Sequence, residues 1–194
     1  MHISIVSSSQ RSGSESLRIS NYIASRIAAA GAKAEVHDLH ALALSTDIEA
    51  VWKSGAAKPT VDRLDASHGA VFVSPEWNGM PSAALINFIH QIGGALAHKP
   101  VLLVGVSSGR NGAYPIAALR SLGYKNTKYL MIPEHLIFRS VKEMVQDGDP
   151  SGDEDDFIRR RTDYAVEVLL AYAAGMEAIR AALPDTPKEF SFGM

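Results

Sequence analysis

Apolar positions in this chain come in short runs separated by longer segments of helical period. Ile3 to Val6, Ala34 to His37, Ala70 to Val73, Val101 to Val106 and Tyr129 to Ile132 each read as a strand. Apolar runs without alternation suit strands covered on both faces. Between them, Ser14 to Ala30 places Ile19, Ile23 and Ile27 on one helical face, and Gly31 reads as its stop. Further helices are predicted over Ser82 to Ile92, ended by Gly93-Gly94, over Tyr114 to Leu122, and over a long stretch from Asp153 to Leu183, closed by Pro184. Leu39 to Asp65 is mixed, with Pro59 ahead of one short helix near Val61 to Leu64. Strands alternating with helices predict an α/β fold: a five-stranded parallel sheet with helices on both faces, in one domain over residues 1–194.

The long polar connections follow the first, third and fourth strands. Doubly wound sheets bind ligands at the carboxyl ends of strands where the strand order reverses. General topology supplies the order 2-1-3-4-5, which makes those strands neighbours and brings their loops to one crevice.

The first loop, Ser7 to Ser16, gathers hydroxyls and backbone N–H groups ahead of a helix, a setting that favours an anion; Arg11 adds a forked positive charge. It has neither the G-x-G-x-x-G turn nor the G-x-x-x-x-G-K-[ST] cradle, so a monophosphate fits best. The plain alternative is an ordinary polar loop with Ser14 as N-cap. The second loop sets Trp77 between Pro75 and Asn78-Gly79, where a flat ring and extended backbone can meet a heterocycle. Alternatively Trp77 caps the core and Asn-Gly is a tight turn. Nothing around Glu76 marks it as a catalytic acid. In the third loop, Gly109 and Gly112 flank Arg110, leaving a guanidinium for a second phosphate-bearing ligand or simply for water.

Composition narrows the chemistry. The chain has 194 residues, 46% of them hydrophobic, and Lys plus Arg (19) against Asp plus Glu (21) leave a net charge of -2, so no global field draws nucleic acid. The absence of cysteine excludes disulfides, thiolate metal sites and Cys nucleophiles, so any redox chemistry must come from a cofactor. Met1 to Val6 lacks the features of a signal peptide and no apolar run approaches the ~18 residues of a membrane span, which predicts a cytoplasmic protein.

Seven histidines show no close metal-ligand spacing; His37 and His40 are three apart across a strand end, and no metal site is expected. Asp147 to Gly152 imitates the start of an EF-hand loop, but Ile158 stands where the bidentate Glu is required. An exposed acidic loop is expected instead, with Asp153 to Asp156 complementing the last helix's dipole and Arg159-Arg160-Arg161 on a solvated face. Val166, Leu169, Leu170, Ala173 and Met176 supply apolar surface for the core and for a partner subunit.

In order, the loops resemble those of the NAD(P)H-dependent FMN reductase family of flavodoxin-like proteins, over roughly Met1 to Leu130. Ser8-Ser9-Gln10-Arg11-Ser12-Gly13-Ser14-Glu15-Ser16 is similar to that family's Gly-Ser-x-Arg-x-x-Ser-x-Asn, with Ser8 for Gly and Ser16 for Asn. Pro75-Glu76-Trp77-Asn78-Gly79 resembles its Pro-Glu-Tyr-Asn-Gly segment, and Ser108-Gly109-Arg110-Asn111-Gly112 its Gly-rich third loop. The resemblance implies a flavodoxin-like fold and an FMN held by Ser9, Arg11, Ser14, Glu15, Ser16, Pro75, Glu76, Trp77, Asn78, Gly79, Ser108 and Gly109. It implies hydride transfer from NADPH or NADH to flavin N5, and then to free flavin, a quinone, an azo compound or a metal oxyanion. It also implies a homodimer or homotetramer, and it assigns no catalytic acid or base. A flavin-binding electron carrier, or a relative without nicotinamide turnover, is the alternative.

Overall fold

The computed structural model describes residues 1–190. Five strands, β1 (His2–Ser7), β2 (Lys33–Asp38), β3 (Gly69–Pro75), β4 (Pro100–Val106) and β5 (Leu130–Phe138), form one sheet in the order β2-β1-β3-β4-β5. Every neighbouring pair is parallel. This is the flavodoxin-like doubly wound sheet, whose order reverses between β1 and β3.

The pleat explains both cores. Ile3, Ile5, Val71, Val73, Leu102 and Val104 point to one face and pack with Ile19, Ile23 and Ile27 of α1 (Glu15–Ala29) and Leu169 and Ala173 of α8 (Asp153–Ala182). Their neighbours Val6, Ala70, Phe72, Val101 and Leu103 point to the other, against Leu64 of α4 (Lys58–Asp65), Leu85 and Phe88 of α5 (Ala83–Gln91), and Ile116 and Leu119 of α6 (Ala113–Leu119). Such two-sided burial is why β3 and β4 read as unbroken apolar runs.

Three departures from the sequence reading have physical causes. β5 does not end at Ile132 but runs on to Phe138, with its register to β4 shifting between Val101 and Leu103. Pro133 cannot donate to a ladder, yet it is tolerated here because β5 is an edge strand with an irregularity. The mixed stretch holds α2 (Leu39–Leu42) and α3 (Ile48–Ser54) in addition to the expected short helix near Val61 to Leu64, which is α4. Asp38 and Asp47 start the first two by accepting N–H bonds from His40 and Ala50. A further single turn, α7 (Tyr124–Thr127), follows α6.

The third departure concerns α8. Val166, Leu169, Leu170, Ala173 and Met176 are all buried within this chain, so they leave no surplus for a partner. The apolar side chains that α8 exposes are others: Phe157, Tyr164, Tyr172 and Ile179. Arg159 and Arg160 make the expected i, i+4 pairs with Asp155 and Asp156, while Arg161 pairs with Glu134 of β5. No helix among the described residues is long and apolar enough to cross a membrane.

Candidate functional site

At the carboxyl end of the sheet, β1 runs into a loop pinned to β3. The N–H and the hydroxyl of Ser8 both donate to the Val73 carbonyl, at 3.0 and 2.8 Å. That hydroxyl therefore serves the fold. Ser9 accepts the Arg11 N–H at 3.3 Å, and Ser14 caps α1 by accepting the Leu17 N–H at 3.2 Å. Ser9, Ser14 and Ser16 are buried although they are polar, and they surround the positive end of a 15-residue helix. Arg11 is exposed, makes no ion pair among the described residues, and lies over the Trp77 ring with its guanidinium carbon 5.3 Å from the centroid.

The second loop is a tight turn that also presents an aromatic ring. Trp77 and Met80 exchange backbone hydrogen bonds at 3.2 and 2.9 Å around Asn78 and Gly79, whose φ values are 51° and 72°. Positive φ at both central positions is the type I′ turn that Asn-Gly favours. Glu76 holds the scaffold together: its N–H donates to Val106 of β4, and its carboxylate accepts the Gly112 N–H at the start of α6. The second and third loops are thereby tied together.

The third loop is tied in turn to the chain leaving β5. Ser140 donates to the Gly109 carbonyl at 2.7 Å, Val141 to Ser107 at 3.1 Å, and Arg139 to the Arg110 carbonyl at 2.8 Å. A short 3-10 turn, Val141–Glu143, then leads to Val145. The buried carboxylate of Asp155 accepts the N–H groups of Val145 and Ser151 at 2.7 and 3.0 Å and pairs with Arg159. Burial pushes its pKa up, but those two N–H bonds and the guanidinium outweigh it and hold the carboxyl below its ordinary value. Asp155 is thus a buried anchor where the sequence suggests only an exposed acidic loop.

Ser9, Arg11, Ser14, Glu15, Ser16, Pro75, Glu76, Trp77 and Ser108 line a single open cleft of about 250 Å³. Asn78, Gly79 and Gly109 lie on the same loops but outside its lining, at exposed positions. Val106, Val141 and Lys142 complete it, and no sequence motif points to them. Val106 is simply the end of β4, while Val141 and Lys142 arrive from beyond β5, where no Gly- or Ser-rich pattern marks a ligand loop. Trp77 also borders a second, mostly apolar depression of about 620 Å³ that includes Met80, Ile86 and Leu122.

The donor set suits a phosphate carried on a flat heterocycle: buried hydroxyls and a helix N-terminus beside a guanidinium without an ionic partner among the described residues, with the Trp77 ring next to it. One buried hydroxyl, Ser7 Oγ at the end of β1, has no protein hydrogen-bond partner. An FMN fits these groups.

The sequence model of the NADPH-dependent FMN reductase family matches residues 1–142. No curated protein matches the chain. Among solved structures, the fold is similar to an oxidoreductase from Corynebacterium diphtheriae, with a TM-score of 0.72 at 15% identity over 90% of this chain and 97% of that one. It is also similar to an apo NADH:FMN oxidoreductase, EMOB (TM-score 0.66, 15% identity, 96% and 91% covered). A third likeness is the Paracoccus denitrificans flavoenzyme FerB, an NAD(P)H:(acceptor) oxidoreductase (TM-score 0.65, 17% identity, 91% and 97% covered). These identities speak for the fold, whereas the family match runs through all the loops that build the cleft. The chain belongs to the NADPH-dependent FMN reductase family.

Proposed function

We propose that the chain binds FMN in the three-loop cleft and passes electrons from NADPH or NADH to a small acceptor. The observation that carries this reading is the cleft itself, in which separate loops bring buried hydroxyls, an unpaired Arg11 and the Trp77 ring to one place. When bound, the flavin supplies the electron-transfer chemistry that a side-chain set without cysteine lacks.

The protein's part is to bind, orient and shield. Ser9, Ser14, Ser16 and the N-terminus of α1 donate to the phosphate, and Arg11 neutralises part of its charge. Glu15 contributes through its 2.7 Å pair with Arg18, which orders the first turn of α1. Pro75 and Trp77 wall the heterocycle, while Asn78, Gly79 and Ser108 offer backbone groups to its edge; Gly109 shapes that loop, its N–H given to Ser107 and its carbonyl taken by Ser140. The Glu76 to Gly112 bond keeps those two loops at a fixed spacing.

The apolar depression beside Trp77, whose lining holds no Lys or Arg, suits a flat acceptor such as free flavin, a quinone or an azo compound better than a metal oxyanion. The same reading is of a cytoplasmic protein that forms a homodimer or homotetramer; the exposed Met80, Tyr114 and Leu122 near that depression support the assembly.

Anaerobic mixing of the FMN-loaded protein with NADPH or NADH tests the proposal. Rapid bleaching of the flavin bands is expected; reduction by dithionite alone would replace this reading with that of an electron carrier. Arg11→Ala is expected to weaken FMN binding by about 1.5–3 kcal/mol, the worth of a hydrogen bond to a charged group. An unchanged dissociation constant in a fluorescence titration would remove Arg11 from the phosphate site.

A further inference from the structure

We infer that Lys142 is the second phosphate-binding cation of the cleft, acting with Arg11. The inference rests on the FMN reading above and adds a residue from outside the three loops.

Charge balance gives the first reason. The charged side chains lining the cleft are Arg11, Glu15, Glu76 and Lys142. Glu15 is held by Arg18 at 2.7 Å, and Glu76 accepts the Gly112 N–H. Arg11 and Lys142 remain as cations with no ionic partner among the described residues. A phosphate monoester carries roughly −1.5 to −2 charges near neutral pH. Arg11 alone leaves such a group under-neutralised, whereas Arg11 and Lys142 together match it. The hydroxyl of Ser8 is already given to Val73, and the other hydroxyls of the first loop add hydrogen bonds without formal charge, so beside Arg11 that loop brings only the roughly half charge of the α1 N-terminus.

The second reason is the backbone that presents Lys142. Ser140 and Val145, on either side of it, have left-handed φ values of 43° and 48°, neither being glycine. For a β-branched residue such as Val145 this conformation is a genuine outlier, persisting only where its surroundings over-determine it. They do so here. Arg18 donates to the carbonyls of Val141 and Val145 at 2.6 and 3.1 Å, and Asp155 accepts the Val145 N–H. The same Arg18 holds Glu15 in the first turn of α1. One guanidinium thus ties the segment that carries Lys142 to the helix whose N-terminus faces the phosphate site. A compact ammonium on a flexible stem is well suited to act as a supplementary point charge beside a forked Arg.

A charge directed at the phosphate separates FMN from riboflavin, which has the same ring and no phosphate. The apo full-length protein, its Lys142→Met variant and its Lys142→Arg variant are titrated with each flavin, following flavin fluorescence. Lys142→Met is expected to raise the FMN dissociation constant roughly tenfold or more and to leave that of riboflavin unchanged. Lys142→Arg, which keeps the charge, should stay within about threefold of the parent for FMN. Because Lys142 is exposed, both variants are expected to fold, which circular dichroism checks. An FMN-to-riboflavin preference unaltered by Lys142→Met overturns the inference, and so does an equal loss for both flavins. A parent protein that binds neither flavin overturns the FMN reading itself, a result distinct from either of these.

Discussion

Replacing Asp155 by alanine is expected to cost about 3–5 kcal/mol of folding stability, the usual penalty for breaking a buried, hydrogen-bonded ion pair from one side. In a chain of this length that is a fall in melting temperature of roughly 6–20 °C. Asp155 is 1% exposed and accepts the Val145 and Ser151 N–H groups, with Arg159 at 3.2 Å. Alanine leaves the buried Val145 N–H and the part-buried Ser151 N–H without their acceptor and removes the anion opposite a guanidinium. Thermal and urea melts measure the loss. A change below about 1 kcal/mol would mean that the carboxylate behaves as a solvated surface group.

The same carboxylate carries a pH signature. Its folded pKa lies below the ordinary 3.8, so at acid pH the unfolded chain takes up the proton before the folded one does. Stability from this group is complete above 3.8 and is lost as pH falls through the lower, folded value. The stability gap between the parent and Asp155→Ala should therefore be flat near neutrality and narrow under acid. A gap that widened on acidification would contradict the direction of the shift.

This anchor sits at the base of the candidate site. Asp155 and Arg18 grip the two backbone groups of Val145, so loosening Asp155 also frees the segment that ends the cleft at Val141 and Lys142. Strain at a left-handed valine is tolerated only while both grips hold. Folding stability and cleft geometry are thus coupled through one turn.

The parts of the molecule that are legible in the sequence are those where local pattern and global fold agree. Ile19, Ile23 and Ile27 repeat at helical spacing because α1 has one buried face, and β3 and β4 are continuous apolar runs because both faces are covered. From its sequence the edge strand β5 reads as stopping at Ile132, since Pro133, Glu134 and His135 look like an exit when pairing is unknown. The site shows a similar division. Ser9, Arg11, Ser14 and Trp77 stand in loops whose composition announces a ligand, but Lys142 follows a strand in an undistinguished polar and apolar mixture. Tertiary hydrogen bonds, from Ser140 and Val141 to the third loop and from Arg18 to Val141 and Val145, carry it to the cleft. The role of Glu76 is illegible for the same reason: its partner, the Gly112 N–H, lies 36 residues away.

That partnership makes Gly105→Ala the second variant with a large expected effect. A methyl on Gly105 would stand 2.1 Å from the Gly112 carbonyl oxygen and 3.1 Å from its carbon, contacts that no rotamer relieves because both partners are backbone. Gly112 has little room to retreat. Its φ is 107°, and its own Cβ position is 2.6 Å from Ile137 Cγ2, while its N–H is held by Glu76. The start of α6 must therefore move off β4, parting Glu76 from Gly112 and the second loop from the third. Overpacking of this kind costs about 1–3 kcal/mol, and more where backbone has to shift. Flavin affinity should fall with it by roughly tenfold, since the lost charged hydrogen bond is what spaces the two loops. Gly94→Ala is the control: its added Cβ meets nothing within 4 Å, so stability and binding should stay near the parent's. If Gly105→Ala melted and bound FMN as the control does, the close approach of β4 to α6 would not be what sets the spacing of the cleft.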